Sequence, residues 1–233
     1  MRPSVFINVA ISADGKMDTV ERKGAGISSA SDKARVLRLR AGADAVMVGG
    51  HTLLDEDPKL TVKTAELREE RRARGQPENP LKVGVVTRAN LNPEGPFMNA
   101  GPAERVIFTT SQTTAAQVAI LTELGAQVFI LGEHKVNLHE ALEILYSLGV
   151  RRLMVEGGGT LNFELLRAGL VDELYIYIAS KIFGGQSAPT LAAGVGFVEG
   201  EALPLELLDT CVLDQEGGVL IRYRVNNQIS DRG

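Results

Sequence analysis

Residues 153–162 constrain the fold most strongly, because a short apolar run there ends in a carboxylate and three glycines. The segment reads LMVEGGGTLN, and an amphipathic stretch follows it. This order predicts a strand, a tight turn and the N-terminus of a helix. Glycines let a ligand approach the backbone closely, and the N–H groups of a first helical turn suit an anion such as a pyrophosphate. An ordinary strand–helix turn capped by Thr160 is the alternative.

Strand-like apolar runs alternate with helical patterns through the first two thirds of the chain. Strands are predicted at 5–12, 44–50, 82–88, 106–108, 127–131 and 152–155, and helices at about 32–41, 114–124 and 138–148. Such alternation predicts an α/β fold with a mostly parallel central sheet flanked by helices. Beyond residue 170 the strand-like runs are 172–179, 205–214 and 219–225. Gly217-Gly218 precedes the last run and predicts a hairpin, so the sheet is expected to have an antiparallel C-terminal edge. With no repeat or linker, we expect one domain over 1–233.

The composition argues against several classes of protein. A net charge of −4 and a pI of about 5.5 do not favour nucleic acid or an anionic membrane as a partner. One cysteine, Cys211, excludes an intrachain disulfide and a cysteine-rich metal site, and no histidine spacing suggests a metal ligand set. The first residues do not resemble a signal peptide, and no apolar stretch reaches the roughly 20 residues that span a bilayer. We therefore expect a cytoplasmic protein without bound metal.

Charged residues follow the predicted ends of several strands. Lys16 comes after the first strand, an acidic turn at 52–58 follows the second, and Glu156 ends the strand before the glycines. Because open α/β sheets bind ligands at the carboxyl ends of their strands, these groups indicate a nucleotide-binding α/β enzyme. Arg88, at the predicted C-terminal end of the third strand, suits the 2′-phosphate of a cofactor. The alternatives are a solvated turn lysine, a solvated acidic turn and an ordinary surface arginine.

Four sequence blocks give a more specific indication. They are DGK at 14–16, VGGHTLLDEDPKLTV at 48–62, EGGGTLN at 156–162, and GLVDE at 169–173 with ASKIFGG at 179–185. In this order they resemble the riboflavin-biosynthesis reductases over nearly the whole chain. The resemblance implies a dihydrofolate-reductase-like fold, a homodimer and NADPH as cofactor. It also implies reduction of the ribosylamino group of a pyrimidine ribosyl phosphate to a ribitylamino group.

The resemblance also bears on the substrate. Bifunctional members of the family carry a zinc deaminase domain, whose ligand signature a single cysteine cannot supply. The chain is similar instead to the stand-alone reductases, which act on 2,5-diamino-6-ribosylamino-4(3H)-pyrimidinone 5′-phosphate. The deaminated 5-amino-6-ribosylaminouracil 5′-phosphate is the alternative substrate. A non-catalytic nucleotide-binding protein of the same fold is a further alternative, although it would not need the charged residues that match the family pattern.

The resemblance assigns roles to individual residues. The catalytic candidates are Lys16, Asp57 and Glu156. The cofactor is expected to contact Ala10, Thr52, Glu56, Arg88, Gly157, Gly158, Gly159, Thr160 and Leu161. The substrate is expected to contact Arg40, Leu60, Lys63 and Glu156, the two cations being suited to its 5′-phosphate. The chain departs from many relatives at Glu56, where they carry aspartate, and at 87–88, where they often carry Asp-Ser.

Overall fold

The computed structural model describes residues 1–227, which contain nine β-strands and six α-helices. The strands are β1 Ser4–Ser12, β2 Ala45–Gly49, β3 Leu81–Val85, β4 Arg105–Thr109, β5 Ala126–Ile130, β6 Arg152–Val155, β7 Glu173–Ala179, β8 Leu205–Val212 and β9 Val219–Val225. The helices are α1 Ala30–Ala41, α2 Ala65–Ala73, α3 Pro96–Asn99, α4 Ala115–Glu123, α5 Leu138–Ser147 and α6 Gly159–Arg167. A π-helical turn at Thr52–Glu56 and a 3-10 turn at Glu199–Glu201 complete the regular structure of these residues.

These bounds confirm the predicted strands and helices and add two differences. β3 ends at Val85, so Arg88 lies in the segment after the strand rather than at its last position. α6 has Gly158 as its N-cap, and Thr160 lies inside the helix. The alternative of a turn capped by Thr160 is therefore wrong.

The chain divides into two compact units. The first comprises Met1–Pro3 and Leu37–Met154, and the second comprises Ser4–Val36 and the chain from Val155 onward. A single domain over 1–233 stays a prediction, and its residues 228–233 lie outside the described part of the chain. Within residues 1–227, no helix has the length and apolar character that crossing a membrane requires.

The first unit contains a sheet with the strand order β5-β4-β3-β2-β6. β2, β3, β4 and β5 pair in parallel, with Val48 opposite Gly84 and Phe108 opposite Phe129. All five residues of β2 are buried, as expected of a central parallel strand covered on both faces. Parallel pairing places the carboxyl ends of β2, β3 and β4 at the same edge of this sheet.

The second unit contains a sheet with the order β1-β7-β9-β8. β1 and β7 are parallel, whereas β9 pairs antiparallel with both β7 and β8. Gly217 has φ +83° in the β8–β9 connection, and the Leu213 N–H donates to the Gly218 carbonyl at 2.7 Å. This confirms the predicted hairpin and the antiparallel C-terminal edge.

Candidate active site

The turn after β1 is held by the carboxylate of Asp14. Its Oδ1 accepts a hydrogen bond from the Ser12 hydroxyl at 2.6 Å and one from the Phe183 N–H at 3.1 Å, and its Oδ2 accepts from the Gly184 N–H at 2.7 Å. The Ser12 hydroxyl, followed by the two backbone donors, lowers the pKa of Asp14 to about 2. The Lys16 N–H donates to Ser12 Oγ at 3.0 Å, so the half-buried Lys16 projects from a turn with a fixed backbone.

A loop at 189–193 contacts both the Lys16 turn and the start of α6. Lys16 forms an isolated antiparallel β-bridge with Thr190, and the Met17 N–H donates to the Pro189 carbonyl at 2.8 Å. At the other end of the loop, the Ala193 N–H donates to the Gly159 carbonyl at 3.0 Å. Lys16 and the first turn of α6 are therefore positioned by the same short segment.

The side chain of Asn162 fixes this 189–193 loop from within α6. Asn162 is fully buried, and its Nδ2 donates to the Leu191 carbonyl at 2.8 Å. A Cβ added at Gly159 would collide with the Thr190 carbonyl oxygen. The absence of a side chain at Gly159 therefore lets the 189–193 loop lie close to the backbone of α6. A contact of this glycine with a ligand stays a prediction.

The N-terminus of α6 has the properties of an anion site. Its N-cap residue is Gly158, which has no side chain that could cap it, and the N–H groups of a first helical turn have no partners within the helix. Gly157 has φ +93°, and the Gly157–Gly158 peptide bond is cis. Glu156 is half-buried just before these glycines, and Thr160 is exposed on the first turn. The donors present suit a pyrophosphate, because the helix dipole and the N–H groups both favour negative charge.

Asp57 lies directly after the π-helical turn in the first unit. It has φ +45°, and its Oδ1 accepts a hydrogen bond from the Phe97 N–H at 2.7 Å. Of the residues predicted to contact the cofactor in this turn, Thr52 is half-buried and Glu56 is exposed. The structure thus gives the predicted catalytic Asp57 a defined hydrogen-bond partner in α3.

Three basic residues surround the backbone at 61–63. Arg40 Nη1 donates to the Thr61 carbonyl at 3.5 Å, and Arg68 Nη1 donates to the Val62 and Lys63 carbonyls at 3.2 and 3.1 Å. Lys63 itself is exposed, while the neighbouring Leu60 is 1% exposed. Arg40 and Lys63 were predicted, whereas no sequence pattern indicated Arg68, because it lies in a segment with many exposed charges.

Arg88 lies beyond the carboxyl end of β3. Its Nε donates to Gln112 Oε1 at 3.1 Å, and Gln112 Nε2 donates to the Glu133 carbonyl at 3.1 Å. His134 Nδ1 lies 3.3 Å from the same amide nitrogen. Arg88 follows β3, Gln112 follows β4, and Glu133 and His134 follow β5. The exposed side chain of Arg88 is therefore held by polar residues at one edge of the sheet.

Lys82, which belongs to a predicted strand, is a buried lysine. Its side chain is 0% exposed, and its Nζ donates to the Phe97 carbonyl at 2.9 Å and the Ala100 carbonyl at 2.7 Å. Burial, with a smaller contribution from Arg105, lowers the pKa of Lys82 to about 8, although Asp57 acts in the opposite direction.

This shift predicts a stability that depends on pH. The pKa of Lys82 is about 8 in the folded protein against a usual 10.5, so between these values the unfolded chain binds more protons. The free energy of unfolding of wild type minus that of Lys82→Met should then rise with pH, by roughly 3 kcal/mol in all. Urea denaturation of both proteins from pH 7 to 10.5 measures this difference, and a constant difference would contradict it.

The predicted site residues are distributed between the two units. Ala10, Lys16, Glu156 and the segment 157–161 belong to the second unit. Arg40, Thr52, Glu56, Asp57, Leu60, Lys63 and Arg88 belong to the first. Sequence reasoning missed the positioning contacts of Asp14, Asn162 and Lys82, although Asp14 and Asn162 lie inside the blocks that carry the resemblance.

Comparison with known proteins agrees with the fold and the residue blocks. Residues 3–217 match the model of the RibD C-terminal domain. A protein of Archaeoglobus fulgidus named 2,5-diamino-6-ribosylamino-4(3H)-pyrimidinone 5′-phosphate reductase is 43% identical over 199 residues, which cover 85% of this chain and 90% of that protein. A protein of the same name from Methanothermobacter thermautotrophicus is 38% identical over 226 residues, or 97% and 99% of the two chains.

Solved structures show the same fold at lower identity. A pyrimidine reductase-like protein of Corynebacterium diphtheriae superposes with a TM-score of 0.83 at 20% identity, over 96% of this chain and 92% of that one. The riboflavin biosynthesis reductase Rib7 of Saccharomyces cerevisiae gives a TM-score of 0.69 at 20% identity, over 96% and 90%. The predicted α/β fold and the resemblance to riboflavin-biosynthesis reductases are confirmed: this chain belongs to the RibD C-terminal domain family.

Proposed function

We propose that this chain is an NADPH-dependent oxidoreductase that reduces the ribosylamino group of 2,5-diamino-6-ribosylamino-4(3H)-pyrimidinone 5′-phosphate to a ribitylamino group. One structural observation carries the proposal: the 189–193 loop holds Lys16 and also packs against the N-terminus of α6, whose N-cap residue is a glycine. A cation suited to proton transfer and a set of donors suited to a pyrophosphate are therefore fixed by one segment. The names of the relatives supply the substrate and the class of reaction, a reduction, and the family resemblance supplies the ribitylamino product.

The second unit supplies the groups that would hold the cofactor's pyrophosphate. The N–H groups at 159–161 would donate to its oxygens, and the N-cap residue Gly158 brings no side chain of its own to that helix end. Ala10 lines the cofactor from β1, and Thr52 and Glu56 contact it from the π-helical turn. Arg88 pairs with its 2′-phosphate, which favours NADPH over NADH. When bound, NADPH supplies the hydride that reduces C1′ of the substrate.

The charged residues of the chain provide orientation and protons. Opening of the ribose ring gives an imine, and the reduction also needs a proton on nitrogen, so a positioned acid assists one or both events. In this proposal Lys16 donates a proton near the ribose; in support, its turn fixes the base of the side chain, and the ammonium group carries three donors. Glu156 accepts hydrogen bonds from the pyrimidine or the ribose. Asp57, or its neighbour Glu56, acts near the nicotinamide.

The basic residues near 61–63 suit the phosphate of the substrate. Arg40 and Lys63 neutralise the 5′-phosphate, and Leu60 supplies an apolar contact beside them. Arg68 adds a third positive charge to the same stretch of backbone through its bonds to the Val62 and Lys63 carbonyls. We further propose that the protein acts in the cytoplasm as a homodimer, as the family resemblance implies.

The test is NADPH oxidation with the two candidate substrates supplied separately. We expect rapid loss of the absorbance of reduced nicotinamide with the diamino compound and much slower loss with its deaminated analogue. The reverse preference would keep the reaction but favour the alternative substrate. Tight NADPH binding without oxidation of either mixture would instead favour a non-catalytic nucleotide-binding protein and contradict the proposal. The same assay with NADH in place of NADPH tests the role assigned to Arg88.

A further inference from the structure

We propose that Lys82 is a positioning residue for the carboxylate of Asp57 and acts through the four-residue helix α3. The inference rests on the proposed function, in which Asp57 takes part in the reaction. Lys82 contacts neither substrate nor cofactor, because its side chain is fully buried in the first unit. Its effect reaches Asp57 through two consecutive sets of hydrogen bonds, one on each side of α3.

The first set joins Asp57 to α3. Asp57 Oδ1 accepts the Phe97 N–H at 2.7 Å, and that N–H belongs to the first turn of α3, where it has no partner within the helix. The other oxygen, Oδ2, packs against Gly95, where an added Cβ would collide with it. Gly95 has φ −73°, so its backbone conformation does not itself require glycine. Both oxygens of the carboxylate are therefore located by the residues that begin α3.

The second set joins Lys82 to the carbonyl groups of the same helix. Lys82 Nζ donates to the Phe97 and Ala100 carbonyls at 2.9 and 2.7 Å, and to the Pro96 carbonyl at 3.4 Å. Arg105 Nη1 adds a bond to the Met98 carbonyl at 2.7 Å. Every carbonyl bonded by Lys82 thus lies in or directly after α3, so all the hydrogen bonds described for the ammonium group are made to this helix and its C-cap.

A helix of four residues depends on such external contacts. It can form very few hydrogen bonds of its own, and an isolated turn is unfavourable because several backbone angles are fixed for little gain. Asp57 at one end and Lys82 at the other complement the helix dipole and satisfy its terminal groups. Since Lys82 fixes the carbonyl groups, it also fixes the Phe97 N–H that orients Asp57, and the attraction between the two opposite charges acts in the same direction.

The test combines Lys82→Met, Gly95→Ala and Asp57→Asn in the full chain. Lys82→Met removes the donors but keeps an apolar side chain, and Gly95→Ala displaces the Asp57 carboxylate directly without touching Lys82. Because a misplacement of about 1 Å can cost around a hundredfold in rate, we expect each variant to lower kcat by about tenfold to a hundredfold while KM for NADPH stays close to that of the wild type. Leu121→Ala in α4 is the matched control, because it destabilises a buried apolar position that is not one of the residues whose hydrogen bonds hold α3 and Asp57.

The double variant Lys82→Met/Asp57→Asn separates positioning from a general loss of structure. If Lys82 acts through Asp57, the double variant has the kcat of Asp57→Asn alone, because effects of residues that act as one unit are not additive. A multiplied loss in the double variant would overturn the proposal. So would a wild-type kcat in Lys82→Met, or an equal loss of kcat in Leu121→Ala. Where Lys82→Met does not fold, a wild-type kcat in Gly95→Ala overturns the role of α3.

The Phe97 amide provides a readout that does not depend on turnover. Its ¹⁵N–¹H resonance reports the hydrogen bond to Asp57 and is expected to shift in both Lys82→Met and Asp57→Asn, but not in Leu121→Ala. An unchanged Phe97 resonance in Lys82→Met would overturn the proposal. If the wild type oxidises NADPH with neither substrate, the proposed function fails, and this resonance still decides whether Lys82 holds Asp57 through α3.

Discussion

Replacing Lys16 with glutamine is expected to abolish most of the turnover while leaving the fold intact. The turn is held by the Ser12 N–H donating to the Lys16 carbonyl at 2.8 Å and by the Lys16 N–H donating to Ser12 Oγ, and neither bond involves the Lys16 side chain. Asp14 fixes the same turn through its own contacts. Glutamine therefore removes the acidic ammonium group and little else. We expect kcat to fall by about 10²–10⁴-fold, the usual contribution of a general acid or base.

The measurement is steady-state NADPH oxidation together with NADPH affinity from fluorescence titration. Affinity should change little, because the pyrophosphate is assigned to the N–H groups of α6 rather than to Lys16. Lys181→Gln is the matched control: Lys181 also follows a strand of the second unit, and its Nζ donates to the Gly26 carbonyl at 2.7 Å. A Lys16→Gln protein with the same kcat as Lys181→Gln would remove Lys16 from the mechanism.

The parallel sheet could be predicted because its strands carry nearly continuous apolar runs. β2 reads AVMVG and every residue of it is buried, so its pattern has one structural interpretation. α3 could not be predicted in the same way, because four residues beginning with Pro96 are too few to show a helical period. Its formation depends on two distant residues. Lys82, which bonds the Pro96 carbonyl, lies 14 residues before it, and Asp57, which bonds the Phe97 N–H, lies 40 residues before that residue.

The residues of the candidate site could be proposed from the sequence, whereas their contacts could not. Lys16, Asp57 and Glu156 were identified from strand ends and from the family resemblance, which depend on local sequence. The partners that position them are distant in the chain: Asp14 is held by Gly184, 170 residues away, and Asn162 by Leu191, 29 residues away. Such pairings follow from the folded backbone, and neither amino-acid composition nor hydrophobic periodicity indicates them. Only the structure shows which neighbours fix each candidate residue.

Gly159 gives the clearest case in which local and tertiary reasoning predict opposite results. Gly159 is the first residue of α6, and alanine is a better helix former there, so propensity alone predicts that Gly159→Ala stabilises the protein by up to about 1 kcal/mol. In the folded chain the added Cβ would collide with the Thr190 carbonyl oxygen and lie 3.2 Å from Ala193 Cβ. A backbone carbonyl cannot rotate away as a side chain can. We therefore expect a loss of roughly 1–3 kcal/mol in the free energy of unfolding, the usual cost of overpacking.

The same substitution should also impair catalysis. To relieve the collision the 189–193 loop must move away from α6, and that loop carries the β-bridge to Lys16 and the hydrogen bond from Asn162. kcat/KM should accordingly fall more than stability alone explains at a temperature where the variant is fully folded. Gly200→Ala is the control, because a Cβ at that glycine meets no atom within 4 Å. Thermal denaturation and NADPH oxidation of the two variants decide between the predictions, since a stable and fully active Gly159→Ala would show that propensity governs this position and that the loop does not rest on α6.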